Sequence, residues 1–100
     1  MKSVMPKRDG CYICGYGGYT EEHHIFGGTA NRSRSERYGL KVQLCVEHHR
    51  GTNGAHGKNG KWVQDYLHEE GQARIEEIWI KEGEKYPRAR FIEEFRKSYL

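Results

Sequence analysis

The rhythm of apolar and polar positions changes several times along this chain. From Gly39 to Val46 (GLKVQLCV) the two alternate, the period-two pattern of a half-buried strand. An earlier segment, Tyr19 to Ile25, runs into Gly27-Gly28 and stops. The two are expected to pair as a hairpin, joined by a long basic loop, TANRSRSERYG. From Gly51 to Gly60 glycine recurs four times, which no long helix survives. From Lys61 the step lengthens to three and four residues. Trp62, Val63, Tyr66, Leu67, Ile75, Ile78 and Trp79 then form the core stripe of a helix that Gly71 should kink or interrupt. Tyr86-Pro87 marks a stop and restart, after which Phe91, Ile92, Phe95, Tyr99 and Leu100 form the buried face of a closing helix. His68 falls on the polar side of its helix and is expected to be exposed. Met1 to Gly10 shows no periodicity and is read as a flexible basic arm. Its Lys2, Lys7 and Arg8 are either phosphate contacts or parts of a solvated tail.

The predicted architecture is thus one small α+β domain, with a core over residues 11–60 and helices over 61–100 packed on it. Composition adds a constraint. With 100 residues, 35% hydrophobic and a mean hydropathy of -1.00, the chain has a modest core and gains from a staple such as a structural metal. No apolar run approaches the roughly 18 residues of a membrane span, and no signal-peptide pattern begins the chain. A soluble, cytoplasmic protein with no membrane partner is expected. A net charge of +3 leans only mildly toward polyanions.

Candidate chemistry is concentrated between Cys11 and His56, which hold all three cysteines and five of the six histidines. An odd number of cysteines argues against a disulfide scaffold. Cys11-Tyr-Ile-Cys14 followed by glycine has the shape of a zinc knuckle, and Cys45-Val-Glu-His48 repeats its spacing. Together Cys11, Cys14, Cys45 and His48 make a closed tetrahedral set for structural zinc. A redox role for C-x-x-C would need a thioredoxin-like strand and helix around it, and neither is visible. Four histidines of the cluster remain: His23, His24, His49 and His56. Neighbours on a strand face opposite ways, so His23 and His24 cannot share one role.

The arrangement C-x-x-C, then His23-His24-Ile25, then Leu44-Cys45-x-x-His48-His49 resembles the zinc-knuckle branch of the HNH endonucleases, whose fold is the ββα-metal or His-Me finger. The resemblance covers about residues 11 to 56. HHIFGG and the C-terminal FIEEFRKSYL are also similar to small HNH-type proteins of phages and prophages, which implies a bacterial host. Carried over by position, it implies that His23 and His49 bind a catalytic metal and that His24 is the general base. It further implies a DNA substrate and hydrolysis of its phosphodiester bonds. Where the family often has an asparagine, five residues before the knuckle cysteine, this chain has Leu40. Asn31 and Asn53 are candidates to replace it through space.

Chemically, two neutral imidazoles leave open positions on an ion for a phosphate oxygen and a leaving oxygen. They suit Mn²⁺, Ni²⁺ or Zn²⁺ better than Mg²⁺, though all four are candidates. His24, titrating near neutrality, suits proton transfer. His56 is a candidate catalytic residue that contacts phosphate, supports the metal or caps the next helix. Arg32, Arg34 and Arg37 form either a nucleic-acid-binding loop or a solvated one. The same residues also allow a catalytically degenerate zinc module that grips nucleic acid or protein without cutting, or an inhibitor or assembly factor in phage biology. No long basic helix is present to read bases in a groove.

Overall fold

The computed structural model describes all residues 1–100. Its elements are β1 (Thr20–His24), α1 (Thr29–Tyr38), β2 (Lys41–Cys45), α2 (Val46–His49), α3 (Lys61–Lys81) and α4 (Pro87–Phe95). The α+β class is as expected. β1 and β2 form a two-stranded antiparallel sheet in which His23 faces Val42 and His24 faces Lys41 across the ladder. No helix is long and apolar enough to cross a membrane.

The connection between the strands is not the expected loop; it is α1. The periodicity was invisible because the inward side of this helix is polar. Ser35 is buried, and the Tyr38 hydroxyl donates to Glu94 Oε1 of α4 at 2.9 Å. Gly39, at φ 70°, ends the helix by donating its N–H to Glu36 O. The same element redistributes the three arginines. Arg34 is tied to Glu94 at 3.3 Å, while Arg32 and Arg37 remain exposed.

The N-terminal arm is likewise corrected from flexible to docked. Strand β2 turns some of its backbone carbonyls away from β1, and the arm fills that edge. Tyr12 N–H donates to Gln43 O at 2.8 Å, Ser3 Oγ to Lys41 O at 2.6 Å and Val4 N–H to Gly39 O at 2.9 Å. Arg74 of α3 clamps the arm from outside by donating to Val4 O at 2.6 Å. Buried backbone groups need partners, and these contacts supply them. Arg8 is consequently occupied: it lies 3.9 Å from the centre of the Tyr12 ring and donates to Tyr12 O.

Phe26, two residues beyond the histidine pair, is the hub of the core. Its ring lies 4.7 Å from Phe95, 5.4 Å from Phe91 and 5.2 Å from His68. His68 is therefore half-buried and stacked, not exposed as its helical position suggested, because Phe26 and Tyr99 come to meet it. Nor does Gly71 interrupt α3. A Cβ there would lie 3.1 Å from Ile25 Cγ2 and 3.2 Å from Phe26 Cε2. The glycine is where the unbroken helix passes close over the exit of β1.

The two predicted stripes hold in part. Val63, Leu67, Ile75, Trp79, Phe91 and Phe95 are buried, but Trp62, Ile92 and Leu100 are exposed. α4 ends at Phe95 because Arg96 adopts a left-handed φ of 79°. Tyr99 then returns as a tail and donates its N–H to Gln72 Oε1 at 2.6 Å. Buried Gln72 also donates to Glu76, which takes a second bond from Arg88 at 2.9 Å.

Gly71→Leu should overpack the contact with Ile25 and Phe26 and lower stability by about 1–3 kcal/mol, measured by urea denaturation. Stability equal to wild type would show that α3 has room over β1.

Candidate metal centres

The first centre joins two distant knuckles. A turn closed by Gly15 N–H donating to Cys11 O at 2.8 Å sets Cys11 and Cys14 side by side. The end of β2 and the start of α2 supply Cys45 and His48. Cys14 Sγ lies 3.8 Å from Cys45 Sγ, and His48 Nδ1 lies 3.3 Å from Cys45 Sγ and 4.0 Å from Cys11 Sγ. Zinc–sulfur bonds of about 2.3 Å in a tetrahedron put two sulfurs roughly 3.8 Å apart, so the spacing fits a zinc-sized ion. All four ligand atoms lie within 4.8 Å of one another. Burial alone would raise the Cys11 thiol, but backbone N–H groups of Cys45, Cys14 and Ile13 outweigh it and bring its pKa to about 6. The thiolate a metal requires is thus favoured before any ion arrives. This Cys₃His cluster can hold a metal ion such as zinc, as the sequence spacing predicted.

The second centre is built from His23, His49 and His56, whose ligand atoms also fall within 4.8 Å of one another. Their ring centres are 5.2, 5.0 and 4.9 Å apart. His23 comes from the inward face of β1 and is buried. His49 follows the last ligand of the first centre, so the knuckle positions it. His56 is brought back by its own backbone, donating its N–H to His49 O at 2.8 Å. The glycines that forbid a long helix here are needed for that fold-back: a Cβ on Gly60 would collide with the Gly54 carbonyl. Burial first, then the neighbouring His49 and His56, drives the His23 pKa down to about 3. Burial also lowers that of His56. Neutral imidazoles are the form that binds a metal.

His24 is not part of this cluster. It projects from the opposite face of β1, and its Nε2 donates to Glu36 Oε1 of α1 at 2.8 Å. Glu22 and Glu36 complete a third group of possible ligands around it. Lys41 Nζ already lies 3.0 Å from Glu36 and 3.6 Å from Glu22, so this group has its cation. The opposition of His23 and His24 is the one strand geometry predicts, and it brings His23 together with His49 while leaving His24 outside the cluster.

Arg32, Arg34 and Arg37 are on α1, with Arg34 engaged by Glu94. Leu40 is fully buried; Asn31 lies on α1, and Asn53 donates to Glu47 Oε1 at 3.4 Å. Ser35 does the bracing instead. Its buried hydroxyl donates to Leu40 O and accepts from Phe26 N–H at 3.3 Å, tying the exit of β1 to the entrance of β2. Nothing in the sequence marks Ser35 for this.

Two further residues escaped the sequence reading. Glu21 accepts from His49 Nδ1 at 2.8 Å and from Arg50 Nε at 3.0 Å. The bond from His49 first, then those from Arg50 and Tyr19, holds the carboxyl at a pKa of about 2. With Nδ1 committed to Glu21, His49 keeps Nε2 as its free lone pair, the usual support of a metal-binding histidine. The signal was available, since Glu21 shares a strand face with His23 two residues on.

Cys45→Ser should release the first metal and largely unfold the domain, because ligand binding at such a site contributes folding free energy. The check is metal content alongside a melting curve, and an unchanged melting temperature would refute it. Comparison of the chain with family models, curated proteins and solved structures found no match.

Proposed function

We propose that the protein is a metal-dependent phosphodiester hydrolase of the HNH, or ββα-metal, type, acting on DNA. The observation that carries this is the convergence of His23, His49 and His56 directly beside the Cys₃His knuckle. His48 and His49 are consecutive, so one turn of backbone serves both centres. The strand β1, the strand β2 and the short α2 are then the ββα unit, with α1 inserted between the strands.

The donor set fits a divalent ion. Three neutral imidazoles favour Zn²⁺, Ni²⁺ or Mn²⁺ over Mg²⁺. Fewer than four protein ligands leave room for substrate oxygen, and the exposed position of His56 makes that room accessible. Such an ion supplies Lewis acidity toward a phosphate oxygen. Glu21 holds His49 in the tautomer that presents Nε2. Arg50, fixed to the same carboxylate, offers its outer guanidinium nitrogens to phosphate. His24 takes the proton-accepting role, with Glu36 on Nε2 leaving Nδ1 as the basic nitrogen.

One observation favours a second reading. His24 stands across the strand from the three imidazoles and is engaged by Glu36, as in a module that holds nucleic acid without cutting it.

Purified protein given plasmid DNA with Mn²⁺, Ni²⁺ or Zn²⁺ should nick it. His23→Ala and His49→Ala should abolish nicking and cut bound metal from two ions per chain to one, as read by calorimetry. A wild-type protein that retains one ion and never nicks is the binding module. His24→Ala should keep both ions and lose about 10²–10⁴-fold in turnover. Nicking at the wild-type rate by folded His24→Ala would remove His24 from the reaction and leave the metal assignment standing. Glu21→Ala should weaken binding of the second ion about 10–100-fold.

A further inference from the structure

We infer that the mouth of the trihistidine centre receives an unpaired stretch of polynucleotide, with bases stacked on Tyr19 and Trp62 and a phosphate on Arg50. This names the substrate class of the centre and rests on the phosphodiesterase proposed above.

Two large aromatic side chains stand exposed beside the consecutive pair His48–His49: Trp62 next to His48 of the first centre, and Tyr19 joined to His49 of the second through Glu21. Trp62 is 52% exposed, and its ring lies 6.2 Å from that of His48 at 82°. Tyr19 is 67% exposed, and its hydroxyl donates to Glu21 Oε2 at 3.1 Å. Glu21 is the same carboxylate that holds His49 and Arg50, so the tyrosine hydroxyl is tied to the group that orients His49. Single exposed aromatics need no explanation. Here one is joined to His49 through a shared carboxylate and the other lies beside the ring of His48, so the two flank the turn that serves both centres.

The charge suits a nucleic-acid strand. Arg50 has a side chain 62% exposed and uses only Nε on Glu21, so both terminal nitrogens face outward for phosphate. Lys58, exposed in the loop before α3, adds a second cation. A closed duplex offers such aromatics nothing to stack on, because its bases cover one another. Unpaired bases stack on aromatic rings whatever their identity.

Tryptophan emission tests this directly. Of the two tryptophans, Trp79 is only 2% exposed, so a change on adding ligand reports Trp62. Metal-loaded protein carrying His24→Ala, which keeps both ions, is titrated with short oligo-dT and with a blunt duplex of equal length, gels confirming that neither is cut; cleavage is assayed separately with wild type. Oligo-dT should quench the emission and bind about tenfold more tightly than duplex. Tyr19→Ala should weaken oligo-dT binding by about tenfold, with Tyr19→Phe retaining it. With the anisotropy of labelled oligo-dT as the readout, Trp62→Phe should bind near wild type and Trp62→Ala should not, with circular dichroism and metal content confirming the fold of each. Equal or tighter binding of duplex, or no loss in Tyr19→Ala, overturns the inference. Stacked binding of oligo-dT without cleavage under any metal would sink the hydrolase and leave this surface intact. Cleavage of duplex without preference for oligo-dT would do the reverse.

Discussion

Cys11 and Cys14 reach Cys45 and His48 across more than thirty residues, and the geometry of everything near them follows from that meeting. The first pair hangs from a turn whose next backbone bond, Tyr12 N–H to Gln43 O, runs along the outer edge of β2. The second pair ends β2 and begins α2. A tetrahedral ion joining them would fix the arm, the sheet and the short helix as one body. The loop closed in this way is long, so in the unfolded chain its ends are rarely together; metal-binding free energy offsets that entropy. Since the closed set offers no open position, its contribution is structural. Its effect on chemistry is indirect: it holds His49 still.

From that fixed point the second centre is assembled by short-range devices. His23 arrives by strand alternation, His56 by a backbone bond to His49 O, and the orientation of His49 by the carboxylate of Glu21. Beneath them, Phe26 anchors the exit of β1 among Phe91, Phe95 and His68, while Gly71 lets α3 pass close above it. The core of this small polar chain therefore lies directly under the histidines. Ser35 and Leu40 O close the base of the hairpin. A site on rigid, short elements holds its ligands in place better than one on long loops.

The two faces of β1 are organised on different principles. The inward face carries Glu21 and His23 and gathers imidazoles. The other carries Glu22 and His24 and gathers Glu36 and Lys41, with a cation already in place. That difference separates a pair of adjacent histidines into a member of an imidazole cluster and a member of an ion-pair network.

Much of this was legible in one dimension because the relevant physics is local. Repeated C-x-x-C and C-x-x-H spacings report a knuckle, since two ligands of a tetrahedron must come from one tight turn. Period-two alternation placed β2, and strand geometry put His23 and His24 of the segment paired with it on opposite faces. What the chain alone could not reveal depended on partners distant in sequence. α1 was hidden because its stabilising contacts, Arg34 and Tyr38 with Glu94, are polar and belong to α4. Gly71 read as a break because its neighbours Ile25 and Phe26 come from a strand far upstream. His68 and Trp62 exchanged their expected environments for the same reason. Residue types and spacing determined which side chains can bind a metal; tertiary packing decided which of them meet, because only folding sets the face that a histidine finds opposite it.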